Sequence, residues 1–352
     1  MCKNIVVFSD GTGQEGGVGH NTNVYKLFNM VEDRTPGQIV FYDRGLGTGW
    51  RKLTGTVGGM GISRNICECY EFIFDHFMAG DRIFLLGFSR GATTVRSLSG
   101  FIHLFGILPK SRKELIKRAY KIYEIRDRKK RETAADEFVK KHHTMWTRVR
   151  FLGVWDTVAA LGVPSKRFNV LLDGIPWFRH KFHDLRLSAS VEHAYQALAI
   201  DDQRLTFHPE LWEPAIRPYQ TMKQVWFCGM HTDVGGGYAE QGLSDIALLW
   251  MARKAVECGL RIYPKHPVQV HPDADGTMHD SRGGTFSRFY RKRVRSWNLR
   301  THGKPTVHQS VLERTLNEKN EETPPYAPWI LRLAPEIEPW DQAADFSAVA
   351  RG

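Results

Sequence analysis

A Ser set between two glycines, an Asp and a His, each placed just past a short apolar run, are the residues of this 352-residue chain best suited to chemistry. Ser89 lies in Gly87-Phe88-Ser89-Arg90-Gly91, with the apolar run 83–87 before it and a helical pattern over 92–105 after it. That setting is a nucleophile elbow, a sharp strand-to-helix turn in which the glycines leave room for neighbouring backbone and the hydroxyl stands clear. A Ser hydroxyl is a weak nucleophile until a base accepts its proton and a carboxylate holds that base in one tautomer. His231, in Cys228-Gly229-Met230-His231-Thr232-Asp233, is the expected base, and Gly235, Gly236 and Gly237 would let its loop approach closely. Asp156, in Val154-Trp155-Asp156-Thr157, is the expected orienting carboxylate, so that the order along the chain is Ser, Asp, His. The chemistry of such a set is acyl transfer through a covalent intermediate on Ser89.

Other residues compete for these roles. Asp233 stands two residues from His231 and could cap or bind its loop; Asp245 is a second rival, while Asp201 and Asp202 are expected to shape an insertion. Among the 15 histidines, His183, His208 and His308 are alternative bases. His103, His142, His143 and His193 read as helical or surface positions, and His266, His271 and His279 fall in an irregular tail. Asp156 has a plainer reading as an N-cap at Thr157.

An oxyanion needs backbone donors aimed at it, and Arg90 at the head of the following helix is the expected first one. Gly11 or Thr12 is expected to supply the second, with Asp10 organising that loop. Asp10-Gly11-Thr12 also occurs in haloacid-dehalogenase phosphatases, but their nucleophilic Asp would have to occupy position 8, which is Phe8. A P-loop pattern is absent, and Gly45-x-Gly47-x-Gly49 lacks the context of a dinucleotide site. No cofactor and no metal are expected, although Asp10, His231 and Asp233 could together form an ion site.

The elements that must position these residues follow from the alternation of short apolar runs with longer helical patterns, the mark of a parallel sheet covered on both faces. Runs at 4–9, 83–87, 149–154 and 224–229 end in the Asp10, Ser89, Asp156 and His231 clusters. Because ligands in open α/β sheets bind beyond the carboxyl ends of the strands, the four clusters should converge. Helices are expected over 62–77, 92–105, 244–258 and, as one or two charged pieces, 114–140. Segment 160–222 is rich in Pro and aromatics, as in a lid or insertion, and 264–352 has little periodicity, as in an irregular extension. The whole is expected to be a single domain, 1–352.

Hydrophobic residues make up 42% of the chain and charged residues 25%, which supplies a large core. The formal charge of +11 permits an anionic partner without naming it. Basic residues gather at 110–131 and 288–300 (among them Arg288, Arg291, Lys292, Arg293 and Arg295), read here as solvated faces. Five cysteines without regular spacing suit synthesis in a reducing compartment. No run reaches the ~18 apolar residues of a membrane span, and the N-terminal apolar run is too short for a signal peptide, so cytoplasmic synthesis is expected.

Several motifs together resemble a known family: Ser9-Asp10-Gly11-Thr12, Asn21-Thr22-Asn23-Val24, Tyr42-Asp43-Arg44-Gly45, Gly87-Phe88-Ser89-Arg90-Gly91, Trp155-Asp156-Thr157, and His231-Thr232-Asp233-Val234-Gly235-Gly236-Gly237. The chain resembles the α/β-hydrolase family, long labelled a domain of unknown function, that includes the catalytic domains of type VI secretion phospholipase effectors. The resemblance extends weakly to His279-Asp280-Ser281-Arg282 and His308-Gln309-Ser310. Gly13-Gln14 replace the aromatic and Asn usual in that family, a change on the acyl or head-group side of the pocket. The resemblance implies an α/β-hydrolase-like, mostly parallel sheet with helices on both faces and an irregular helical lid. It also implies hydrolysis of lipid-like esters by Ser89, Asp156 and His231, and export by a type VI-like system.

The reading is therefore a serine esterase acting on phospholipid or another acyl ester, with aromatics of 160–222 as an acyl-binding wall. A lipid or ester substrate and an anionic membrane surface are the expected partners; nucleic acid is not. The alternative is a decayed hydrolase fold whose basic segments hold an anionic partner.

Overall fold

The computed structural model describes residues 2–11, 16–17, 19–45, 57–158, 186–283, 291–317 and 325–340. The expectations placed on Thr12, on Gly13 and Gln14, on His183 and on residues 160–185 of the aromatic segment lie outside these residues.

Residues Ile5 and Val7 alternate along one strand with Val6 and Phe8, and all four are fully buried. Successive side chains of a strand point to opposite faces, so such a strand must be covered on both sides. The structure satisfies this with one eight-stranded sheet. In chain order its strands are β1 (Asn4–Ser9), β2 (Gln38–Asp43), β3 (Arg82–Phe88), β4 (Val149–Trp155), β5 (Val191–Ala199), β6 (Thr221–Phe227), β7 (Thr306–His308) and β8 (Glu336–Glu338). Their order across the sheet is β2-β1-β3-β4-β5-β6-β7-β8, and every neighbouring pair is parallel.

Ile5, Val7, Ile83 and Leu85 pack into one apolar cluster with α2 (Val57–His76), α3 (Arg90–Phe105), α4 (Leu115–Tyr123) and α5 (Arg128–His142). Val6, Phe8, Phe84 and Leu86 pack into the other with α1 (Asn23–Met30) and the helix Gly242–Glu257. Between β6 and that helix lies a five-residue helix, α6 (His231–Gly235), which makes Gly242–Glu257 α7; α8 (Leu299–His302) and α9 (Gln309–Leu316) follow. The fold is thus a parallel α/β sheet with helices on both faces.

Two differences from the sequence reading bear on the site. Val191–Ala199, inside the segment expected to be an insertion, is strand β5 between β4 and β6, and Trp212 is a core residue at 2% exposure rather than part of an acyl wall. Residues 306–308 and 336–338, expected to be irregular, form the last two strands.

Candidate active site

Ser89, Asp156 and His231 follow β3, β4 and β6 at their carboxyl ends. Four non-glycine residues with positive φ occur among those described, and two are at this site: Ser89 at 56° and Asp156 at 38°. His143 and Ala334, the others, are left-handed caps at helix ends, whereas Ser89 has ψ −118°, outside that well. A non-glycine backbone persists there only where its surroundings force it. The surroundings are explicit. A Cβ on Gly91 would lie 2.0 Å from the Ser9 carbonyl oxygen, and one on Gly87 2.6 Å from that of Gly91, so the turn closes only with glycine at both positions. Ser89 N donates to Trp155 O at 3.1 Å, which fixes the elbow against the end of β4.

The imidazole Nδ1 of His231 is 2.6 Å from Asp156 Oδ2, and both side chains are buried. The ring packs at a tilt on Phe88, the residue before Ser89, with centroids 4.6 Å apart and planes 31° from parallel, and it meets Phe207 edge-on at 5.0 Å. Its backbone N donates to Asp202 Oδ2 at 3.3 Å. A Cβ on Gly235 would fall 2.0 Å from the Phe88 ring, so that glycine is what lets α6 sit on the elbow.

Asp156 accepts from Ala199 N (3.0 Å) and Arg295 Nη1 (2.6 Å) on Oδ1, and from His231 and Arg295 Nη2 (2.8 Å) on Oδ2. Burial pushes this carboxyl toward neutrality, but the Arg295 charge and the hydrogen bonds from Arg295 and His231 outweigh it, holding Asp156 well below the usual carboxylate range. Arg295 belongs to this candidate site by its bonds to Asp156, whereas the sequence reading places it in a solvated basic run. It is 2% exposed.

The first loop supports the elbow in a different way from that expected. Gly11 N donates to Asp10 Oδ1 at 2.7 Å, so this amide is committed to its own neighbour rather than to a substrate oxygen. What Gly11 contributes is proximity: a Cβ there would stand 3.5 Å from Ser89 Cβ. Asp10 Oδ2 accepts from Thr22 Oγ1 (2.6 Å) and Tyr42 Oη (2.7 Å), and burial raises its carboxyl to about 6. Thr22 also caps α1, and Asn23 donates to Val234 O and Ser244 O, tying the loop to the His231 helix and α7. Arg90 is the first residue of α3, where backbone N–H groups point out of the helix toward the elbow.

Asp233 caps α6 through Met230 N (3.0 Å) and pairs with His279 Nδ1 (2.6 Å), so it supports the loop but is not bonded to His231. The expectation that His279 is a loose tail residue gives way to this pairing, with Tyr238 stacked on its ring at 3.9 Å. Asp245 binds Lys26, and Asp201 takes Gly229 N and Tyr326 Oη. His208 Nε2 meets Arg293 O, and His308 is buried against Phe227. Among the described residues, no three or more His, Cys, Asp or Glu side chains gather as a metal site, so the ion site drawn from Asp10, His231 and Asp233 does not assemble. Among the same residues, no helix is long and apolar enough to cross a membrane.

Residues 3–254 match the family described as the type VI secretion system phospholipase effector Tle1-like catalytic domain. Uncharacterized protein YEL023C of Saccharomyces cerevisiae is 29% identical over 257 residues, which cover 66% of this chain and 36% of the yeast protein. The chain thus spans about a third of that relative's length. Among solved structures, an uncharacterized protein from Pseudomonas aeruginosa is similar at TM-score 0.49 and 16% identity, over 78% of this chain and 50% of the other. A Tle1 effector bound to the VgrG spike is similar at TM-score 0.37 and 20% identity, over 68% and 52%.

Proposed function

We propose, from the premise that the chain belongs to the Tle1-like phospholipase effector catalytic-domain family, that it hydrolyses carboxylic esters of lipid-like substrates through Ser89, His231 and Asp156. The observation that carries the reading is the buried Asp156–His231 pair at 2.6 Å, its ring packed against the residue before a strained Ser89.

In this mechanism Ser89 Oγ attacks the ester carbonyl carbon as its proton passes to His231 Nε2. Asp156 holds Nδ1–H and stabilises the imidazolium that results. The oxyanion is held by backbone N–H groups, Arg90 first and the 10–12 loop second; the Gly11 commitment to Asp10 makes Thr12 N–H the candidate in that loop. Losing one such donor costs about 10²–10³ in kcat. Collapse expels the alcohol, which takes its proton from His231, and water then attacks the acyl-Ser89 by the same route. Export of this chain by a type VI route is part of the same proposal.

A fluorophosphonate probe tests the nucleophile: it is expected to modify wild type at Ser89 and to leave folded Ser89→Ala unmodified. Equal labelling of both proteins, or none of folded wild type, refutes the assignment. Mass spectrometry of products from a mixed lipid extract, with Ser89→Ala as control, then identifies the ester cleaved.

A further inference from the structure

Segment 291–300 contains a contrast that the three-residue mechanism leaves unused. Arg291, Lys292, Arg293 and Val294 are exposed, yet the Arg295 side chain is wholly buried. Besides its two bonds to Asp156, its Nη1 donates to Ala199 O and its Nη2 to Phe207 O, both at 2.6 Å. The backbone that delivers it is held by Arg293 N to Gln203 O (2.8 Å), by Leu205 N to Arg291 O (2.9 Å) and by an Arg204–Lys292 bridge. Residue 295 lies beyond the stretch 3–254 that matches the family.

A guanidinium taken out of water is costly, and an apolar side chain of similar volume would brace the loop without that cost. What the guanidinium adds is direction and charge. Its planar fork meets both carboxylate oxygens, fixing the carboxylate plane in a way a single ammonium cannot. Oδ2 also accepts from His231, so that plane sets the line along which the imidazole is held.

We infer that Arg295 is a positioning residue for the triad, fixing the Asp156 carboxylate and sharing its negative charge with the imidazole of His231. The inference rests on His231 being the base. The charged neighbours of the pair are few. Asp202 accepts from His231 N and is itself paired with Arg204; Asp201 is bonded to Gly229 N and Tyr326. Phe88 and Phe207 cover the ring without charge, and Ser89 stands at the elbow. Asp156 and Asp202 bring negative charge to the pair, and Arg295 brings the positive charge that balances it. Removing its charge shifts the balance toward a protonated, inactive base.

The test is Arg295→Met beside Arg295→Lys, with kcat, KM and pH profiles on a soluble acyl ester. In Arg295→Met the acidic limb of kcat/KM is expected to move to higher pH by about one unit or more, the scale of a single neighbouring charge. Its kcat at neutral pH falls and partly recovers in alkali, with KM little changed. Arg295→Lys keeps the charge but not the fork, so its limb stays and its kcat drops about tenfold, as for a loosened catalytic geometry. NMR titration of His231 in the Ser89→Ala background reads the same effect without turnover: Arg295→Met is expected to raise the midpoint. A lower melting temperature with an unmoved limb and midpoint makes Arg295 a strut and overturns the inference. Should Arg295→Met fail to fold, unchanged kcat in Arg295→Lys overturns it equally. A wild type that neither turns over ester nor labels at Ser89 refutes the proposed function instead, so the two failures are distinguishable.

Discussion

Replacing Asp156 by Asn removes a charge while keeping the shape, and the geometry around it decides what the amide does. The carboxylate accepts four hydrogen bonds, from Ala199 N and Arg295 Nη1 on one oxygen and from His231 Nδ1 and Arg295 Nη2 on the other. An Asn offers one oxygen and one NH₂. With its oxygen toward His231, the NH₂ confronts two donors, Ala199 N and Arg295 Nη1. With its NH₂ toward His231, it confronts only Arg295 Nη2, because the imidazole can accept on Nδ1 by shifting its proton to Nε2. A buried donor left unsatisfied costs about 1–3 kcal/mol, so the second arrangement is favoured by roughly five- to hundredfold. It is the wrong tautomer, since a protonated Nε2 cannot take the Ser89 proton. Adding the lost stabilisation of the imidazolium, kcat for Asp156→Asn is expected to fall by about 10³–10⁴, comparable with the same change in a serine protease triad. The buried Arg295 cation is also stranded, at a cost on the order of 3–5 kcal/mol of stability. Initial rates on a p-nitrophenyl ester, with urea unfolding of both proteins, check both figures. A folded Asp156→Asn protein with kcat within tenfold of wild type would refute the reasoning.

Three further outcomes follow from other parts of the structure. Burial depresses the His308 imidazole to about 3, so its neutral form contributes stability that is present above pH 6.5 and is lost as pH falls toward that value. The unfolding free energy of wild type from urea titrations between pH 4 and 6.5 should therefore fall by about 1.4 kcal/mol per unit more steeply than that of His308→Asn, and parallel curves contradict the assignment. Gly91→Ala would place a Cβ 2.0 Å from Ser9 O; loss of at least about 2 kcal/mol of stability and of Ser89 labelling is expected, and normal labelling kinetics would show that the elbow tolerates a side chain. Lys26 and Asp245 are bonded at 2.6 Å and both buried, so Lys26→Met should cost about 3–5 kcal/mol by denaturant titration, whereas a change under 1 kcal/mol would refute a stabilising role for the pair.

The strands that could be read from the sequence are those whose apolar runs end abruptly in a polar cluster, and these are the strands that carry Asp10, Ser89, Asp156 and His231. Strand β5 escaped because Glu192, His193 and Gln196 interrupt its apolar pattern. Glu192 is paired with Arg148 and Arg150, and Gln196 donates to Glu210 O, so tertiary partners supply what the local pattern lacks. Strands β7 and β8 have three residues each, too short for any period to register. Arg295 is one cation in a basic run, and nothing local marks it as the one that turns inward; its role depends on Asp156, 139 positions away. The sequence offers the Gly11 amide as an oxyanion donor, but the acceptor that occupies it is the side chain just before it. His279 had a trace of a signal in the motif it begins with Asp280, Ser281 and Arg282, whose pairing with Asp233 only the fold supplies.

The sheet order has a consequence for how the molecule is made. Strand β6 pairs with β7 through Val225 and Thr306, a closure spanning 306 − 225 = 81 residues, and each of the other six pairings is also parallel and non-local. Such topologies fold slowly, since the loops must close before contacts reward them. Chains fold from the N-terminus as they are synthesised. Ser89, Asp156 and His231 therefore emerge well before the cation that neutralises Asp156. An elongating chain would hold all three residues of the proposed triad and still lack the settled carboxylate that aligns them. Catalytic competence would then wait on residue 295, a useful order of events for a protein whose proposed substrates are lipid-like esters.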